Sequence, residues 1–418
     1  MAIREYSSYI IAFCATIIRY YDYALFGLSS SMISKHFMPG ADDADQMLAF
    51  FAVFSVAVIA RPFGSLVFGK IGDQAGRVAS LRVATVIAAV STSIIAFIPN
   101  FNTIGWFAVL FLTICRMMFL ISLAGEIDAI KIYVAEKVGK KRRYLANGIV
   151  SFSSQIGVLL ASIMYHVAIS MPELTWMWKM NFLLGGAFGM VIILLRGYLR
   201  ESDAFLKSKK KQEVDSGIVE IVLQNKRKFV LGMIVSGMLG GGYHFLVIFL
   251  GAFAGNVADI IPPDQATSSN VILISIYGIA CVLSGVVADR IKKQNTQMIV
   301  ALICSIMCVL EMEYKLLDNV FVKTLHYMLA FMVPFYYIPC AIKIQSLFAT
   351  NVRMRMFSLS HSVGSMFFSS TTPFICMLIW RSSGLFAAVL GYFLLQLLLL
   401  LFAIIYIAKN DYESMFET

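Results

Sequence analysis

Four charged side chains stand where charge is expensive. Arg19, Asp22, Arg61 and Arg116 each fall inside a long apolar run. An ionised group at bilayer depth costs at least about 2.5 kcal/mol on insertion scales, so such residues line a pathway or pair with each other. Asp22 can do proton chemistry, because a carboxyl group shielded from bulk water exchanges its proton with whichever side it faces unless a cation holds it charged. Arg116, some 12 residues into its run, offers a planar fork for a substrate carboxylate or for Asp22 itself. Arg19 precedes Asp22 by three residues on one helical face, so a static Arg19–Asp22 pair is the competing reading. Arg61 reads as structural, either snorkelling or hydrogen-bonding the backbone of a neighbouring span.

The elements that must hold these groups follow from composition. The chain has 418 residues, 59% hydrophobic and 14% charged, with a mean hydropathy of +0.80. A soluble protein carries about 25% charged residues, so the apolar surplus implies a polytopic membrane protein. Crossing a bilayer takes roughly 20 apolar residues. Runs at 8–33, 47–70, 78–98, 104–126, 145–169 and 178–197 are followed by a polar stretch. Six more runs come after it, at 229–255, 268–289, 296–311, 320–345, 356–380 and 384–408. The reading is an all-α membrane protein of twelve transmembrane helices. Its parts are an N-terminal six-helix bundle (1–197), a basic cytoplasmic linker (198–228) and a C-terminal six-helix bundle (229–418). The first run is too long for the core of a cleavable signal peptide. Seven scattered cysteines form no CxxC or Cys/His spacing, so neither a metal nor a cofactor is implied.

Lysine and arginine placement orients the spans. With loops alternating sides, the side holding both termini carries 26 of the 34 Lys/Arg residues, including "KVGKKRR" (137–143) and "KSKKK" (207–211). The opposite side holds five. Both termini are therefore expected in the cytoplasm, in a cytoplasmic (inner) membrane. The net charge of +10 reads as a topology signal and not as a nucleic-acid footprint. Expected partners are lipid, a small solute and protons, with the chain acting as a monomer.

Between spans 2 and 3 the chain reads "GKIGDQAGR" (69–77). Gly69 and Gly72 allow close helix approach, and Gly76 a tight turn. Asp73 can meet a helix N-terminus, and Arg77 can fork onto a carboxylate. After span 8 comes "GVVADRIKK" (285–293), in which Gly285, Ala288, Asp289 and Arg290 repeat Gly69, Gly72, Asp73 and Gln74 at an offset of 216 residues. One turn recurring at one place in each half is the mark of a duplicated transporter plan.

These motifs resemble the major facilitator superfamily, and further ones resemble its metabolite:proton symporter subfamily. "RYYDYALFG" (19–27), "RPFGSLVFGKIGDQAGR" (61–77), Arg116 with "AGE" (124–126), "WKMNF" (178–182) and "LRESDAF" (199–205) fall in that subfamily's order. The resemblance implies two pseudo-symmetric bundles that rock about a midplane site, importing a small polar metabolite or osmolyte such as proline, betaine or an organic acid by proton symport. It places Asp73 at the start of span 11, near Arg355, Phe357 and Ser358, and Asp289 near the start of span 5, at Leu145–Asn147. It also implies a Glu136–Arg143 gating pair, to which Glu126 and Asp128 belong through Arg77, Lys131 or Arg143, unless they are solvated interface acids. Two departures stand out: Arg19 occupies a position the subfamily gives to Glu, and Phe348, not Glu, lies seven before Arg355.

Substrate and proton coupling thus fall to Asp22, Arg116, Arg19 and Tyr21 in the first half. In the second, Tyr243 and His244 of "GGGYHF" (240–245) join them, with Tyr336, Tyr337 and His361 as further polar groups. Aromatic rings suit a cage for a quaternary ammonium. Facilitated diffusion, antiport and a transport-inactive sensor or scaffold remain open on the same fold. A polytopic enzyme, the least favoured alternative, would need a clustered catalytic set or a sizeable loop, and outside the linker the loops are about 20 residues or fewer.

Overall fold

The computed structural model describes residues 2–40, 42–74, 77–124, 126, 128, 130, 131, 134, 138, 142–171, 176–196, 217–256, 263–291, 293–314, 319–348 and 353–409. Among them the chain is helical throughout and contains no strand. Twelve helical rods cross the molecule. Span 1 runs Ala2–Leu28 and Ser30–Phe37, span 2 Asp43–Ala57 and Ala60–Gln74, and span 3 Arg77–Ile95. Spans 4, 5 and 6 are Trp106–Ala124, Arg143–Ile169 and Met177–Arg196. A short helix, Ile218–Gln224, leads into span 7, which runs Lys226–Tyr243, His244–Phe249 and Leu250–Asn256. Spans 8, 9 and 10 are Pro263–Ile291, Gln294–Tyr314 and Asn319–Ser346. Span 11 runs Arg353–Gly364, Ser365–Ser369 and Thr372–Ser383, and span 12 is Phe386–Lys409.

Among the described residues ten helices are long and apolar enough to cross a membrane; spans 1 and 3 complete the two six-helix halves. The outward faces carry Phe97, Leu194, Phe402 and Trp106, each 69% exposed or more. Surface of that kind is stable in lipid and not in water. Most helices extend past their apolar runs, as span 8 does from 268–289 to 263–291, because backbone hydrogen bonding continues into the polar headgroup zone.

The breaks have local causes. Span 10 contains Pro334 and Pro339. Pro339 has no N–H for the carbonyl four residues earlier, and that carbonyl, of Phe335, accepts from Gln297 Nε2 at 3.1 Å instead. Spans 7 and 11 each widen into a π-helical stretch, His244–Phe249 and Ser365–Ser369. Such wide turns re-aim the side chains beyond them and gather at functional sites.

The halves meet along two close seams. Spans 5 and 8 touch through Gly148 and Gly285. A Cβ on Gly148 would lie 2.5 Å from the Cys281 carbonyl oxygen, and one on Gly285 2.6 Å from that of Tyr144. Only hydrogen fits there. Spans 2 and 4 meet span 11 through hydroxyls: Ser65 Oγ lies 2.9 Å from Ser362 Oγ, and Ser358 Oγ donates to the Ala124 carbonyl at 3.0 Å. Toward the other end of the molecule a buried aromatic plug closes the axis: Phe26 stacks on Phe50 and Phe54 in the first half, Phe249 stacks on Phe245 and Phe253 in the second, and Phe51 meets Phe249 between them.

Candidate substrate cavity and the bonds across the halves

Below that plug, between the halves, lies a cavity of about 80 Å³, room for several waters. Both halves wall it. Five tyrosines face it: Tyr20 and Tyr23 from span 1, Tyr243 from span 7, Tyr277 from span 8 and Tyr337 from span 10. Arg61 and Lys131 bring two cations, and His244 and His361 two imidazoles.

Hydrogen bonds fix these groups across the seam. His244 Nδ1 lies 2.9 Å from the Gly240 carbonyl, which can only accept, so Nδ1 carries the hydrogen and Nε2 accepts from Tyr23 Oη at 2.8 Å. Ser369 Oγ of span 11 sits 3.0 Å from the same Nδ1, so spans 1, 7 and 11 meet on one ring. Arg61 Nη1 donates to Ser365 Oγ at 2.9 Å, while its buried Nε has no partner among the described residues. Lys131 Nζ donates to Tyr337 Oη at 3.1 Å. His361 Nδ1 lies 2.8 Å and 3.0 Å from the two carboxylate oxygens of Asp128.

Several sequence expectations are redrawn. Arg19 does not pair with Asp22. Its Nη2 reaches Glu126 at 2.8 Å, and Arg196 of span 6 takes the other oxygen of Glu126, so the positive charge in place of the subfamily's Glu is neutralised within the first half. Among the described side chains Glu126 therefore pairs with Arg19 and Arg196, not with Lys131 or Arg143, while the Arg77 side chain lies outside the described ones. Both it and Asp128 are almost fully buried, 2% and 1% exposed, and are not solvated interface acids. Arg61 reaches span 11, not the span-4 backbone.

Asp22 is buried against Gly185 of span 6, and its Oδ1 has no partner among the described residues. Arg116 donates to the Tyr23 carbonyl at 3.2 Å and stacks on Phe26, with its guanidinium carbon 4.4 Å from the ring centre. Neither borders the cavity. Tyr21 points away from it too, donating to the Asn181 carbonyl at 2.9 Å. Tyr243 and His244 do line it. Tyr20 and Tyr23 line it as well, although the sequence motifs single out neither; their i, i+3 spacing puts them on one helical face.

The second-half turn sits at the end of the seam where span 5 begins. Asp289 accepts from the backbone N–H groups of Tyr144 at 3.3 Å and Leu145 at 2.9 Å, capping free donors at the N-terminus of span 5. Arg143 stacks on Tyr144 and donates to its hydroxyl at 3.2 Å. Arg355 is half-buried at the start of span 11. Gly69, Gly72 and Asp73 are helical at the end of span 2 and Arg77 opens span 3, but their side chains lie outside the described ones. Gly76 and Glu136 lie outside the described residues. Asp289→Ala removes a cap worth about 1 kcal/mol. Reactivity of a single cysteine placed at this end of the span 5–8 seam should rise several-fold; unchanged reactivity would mean the cap does not hold the halves together.

Two six-helix halves closed around a polar central cavity define a secondary transporter of the major facilitator class. Residues 8–230, more than half of the chain, match the sugar (and other) transporter family, and the chain belongs to it. It is 34% identical over 198 residues to the proline/betaine transporter of Escherichia coli K12, a match covering 46% of this chain and only 40% of that protein. It is 24% identical over 370 residues to the citrate-proton symporter of Salmonella typhi, covering 87% and 85% of the two chains. In fold it is similar to the xylose transporter XylE of E. coli in a partially occluded inward-open conformation, with a TM-score of 0.74 at 16% identity over 97% of both chains.

Proposed function

We propose that the protein imports a small carboxylate-bearing solute of the proline or betaine type across the inner membrane, together with protons, by alternating access with both termini in the cytoplasm. The observation that carries this is the cavity's make-up. Arg61 and Lys131 supply charge-assisted donors for a carboxylate, and five tyrosine rings supply a face for an ammonium. Arg61 Nε and Tyr243 Oη have no partner among the described residues and are free to meet a solute. Proline, betaine and citrate, the solutes named for the relatives, share a carboxylate. Two cations against the single Asp128 favour an anionic group, which keeps an organic acid as the second reading. At about 80 Å³ the cavity is well below the size of an open ligand pocket, which accords with a closed intermediate whose halves part to admit solute.

The test is uptake into proteoliposomes of labelled proline, betaine and citrate. An inside-alkaline pH gradient is expected to drive a transient accumulation of at least one of them above equilibrium. Equal uptake with and without the gradient would mean a facilitator, and no uptake of any would remove the carboxylate reading.

A further inference from the structure

Resting on that reading, we propose that His361, positioned by Asp128, is the group that takes up the coupling proton as a solute carboxylate enters the cavity. The pair spans the seam: Asp128 stands in the first half, four residues past the end of span 4, and His361 on span 11 of the second, 2.8 Å apart at their nearest atoms. Asp128 is 1% exposed and lies behind the imidazole, whose ring borders the cavity. An ionised carboxylate only accepts, so His361 keeps its hydrogen on Nδ1 and leaves Nε2 as the open base.

A hydronium ion on the side to which the cavity opens gives its proton to Nε2: one O–H bond breaks, one N–H bond forms, and water and an imidazolium result. On the other side the N–H bond breaks again and the proton returns to water as hydronium. The charged and titratable groups around the ring and its cavity are Tyr20 and Tyr23 of span 1, Arg61 of span 2, Asp128 and Lys131 just past span 4, Tyr243 and His244 of span 7, Tyr277 of span 8 and Tyr337 of span 10. Before solute enters, two cations and one carboxylate stand there, and a third positive charge is disfavoured. An arriving carboxylate supplies the missing anion in a setting that water screens little, so proton and solute favour each other's binding by the same factor. When the halves part, the imidazolium on span 11 leaves the Asp128 carboxylate of the first half, and its hold on the proton weakens on the releasing side. Asp22 has no such position. It packs inside the first half, and Tyr20 and Tyr23 take the cavity face of its helix.

Equilibrium binding of labelled betaine to the purified full chain in detergent, between about pH 5.5 and 8, tests this, since betaine has no group that titrates there. Uptake of one proton tightens binding as pH falls, by up to about tenfold per pH unit. His361→Gln is expected to bind with no pH dependence. Asp128→Asn should keep the slope and move its midpoint to lower pH, because the anion that stabilises the imidazolium is gone. Asp22→Asn should keep the wild-type profile. Should His361→Gln fail to fold, the Asp128→Asn midpoint decides, and an unmoved midpoint overturns the assignment. A flat wild-type profile overturns it as well, as does a slope retained in His361→Gln or lost in Asp22→Asn. A wild type that binds neither betaine nor citrate overturns the carboxylate-solute reading on which the assignment rests.

Discussion

Glutamine in place of Glu126 is expected to cost about 3–5 kcal/mol of stability, the usual penalty for stripping the counter-charge from a buried ion pair. Glu126 is the single anion between two guanidiniums. Arg19 reaches one oxygen through Nε at 3.1 Å and Nη2 at 2.8 Å, and Arg196 reaches the other. Without that charge, the two cations are left with the Thr85 hydroxyl, 3.3 Å from Arg19 Nη2 and also bonded by Arg196, and the Leu81 carbonyl, 2.7 Å from Arg196 Nη1. Arg19→Met is a milder change, because a one-to-one pair of Glu126 with Arg196 survives. Thermal unfolding in detergent should rank the two variants widely apart, with Glu126→Gln far lower. Equal midpoints would mean that spans 1, 4 and 6 are held by packing alone.

Arg61→Gln is expected to weaken betaine binding about ten- to a hundredfold. A hydrogen bond to a charged group contributes about 1.5–3 kcal/mol, and each 1.4 kcal/mol is about a factor of ten in affinity. Lysine at 61 keeps the charge but loses the forked donors, so its affinity should fall in between. Arg116→Gln gives the contrast that the sequence alone did not offer. Its guanidinium rests on Phe26, Phe119 and Tyr23 at 4.4 Å, 5.0 Å and 5.1 Å from the ring centres, so its loss should lower the melting temperature more than the affinity. Equilibrium binding and melting curves on the same samples check both. Wild-type affinity in Arg61→Gln would remove that residue from the site.

The twelve rods were legible because a bilayer demands about 20 apolar residues per crossing whatever the neighbours are. Asp289 was legible because a duplicated chain repeats its turns, and a 216-residue offset points straight at it. The partner choices were not. Arg19 and Glu126 lie 107 residues apart, and Asp128 and His361 233 apart, so which charge meets which depends on how helices stack in three dimensions. Local spacing suggested Arg19 with Asp22, since i, i+3 neighbours share a face; burial of Glu126 nearby offered a better-shaped partner. The π-helical stretches left no mark either. Their wide turns depend on packing around His244 and Ser365, which no propensity encodes.

The bonds that join the halves differ in kind from one end to the other. At the end near Asp42, Arg381 meets Asp42 and Asp45 at 3.2 Å and 3.0 Å, with side chains 47%, 49% and 34% exposed. Dissolved ions reach such pairs, and attraction between exposed charges fades as the screening length shrinks from about 8 Å at physiological salt to about 3 Å at 1 M. The Asp128–His361 bond, its side chains 1% and 19% exposed, lies deeper and is screened far less. Ionic strength therefore acts on this molecule as a one-ended lever: it loosens the clasp at one mouth and leaves the bolt at the other in place.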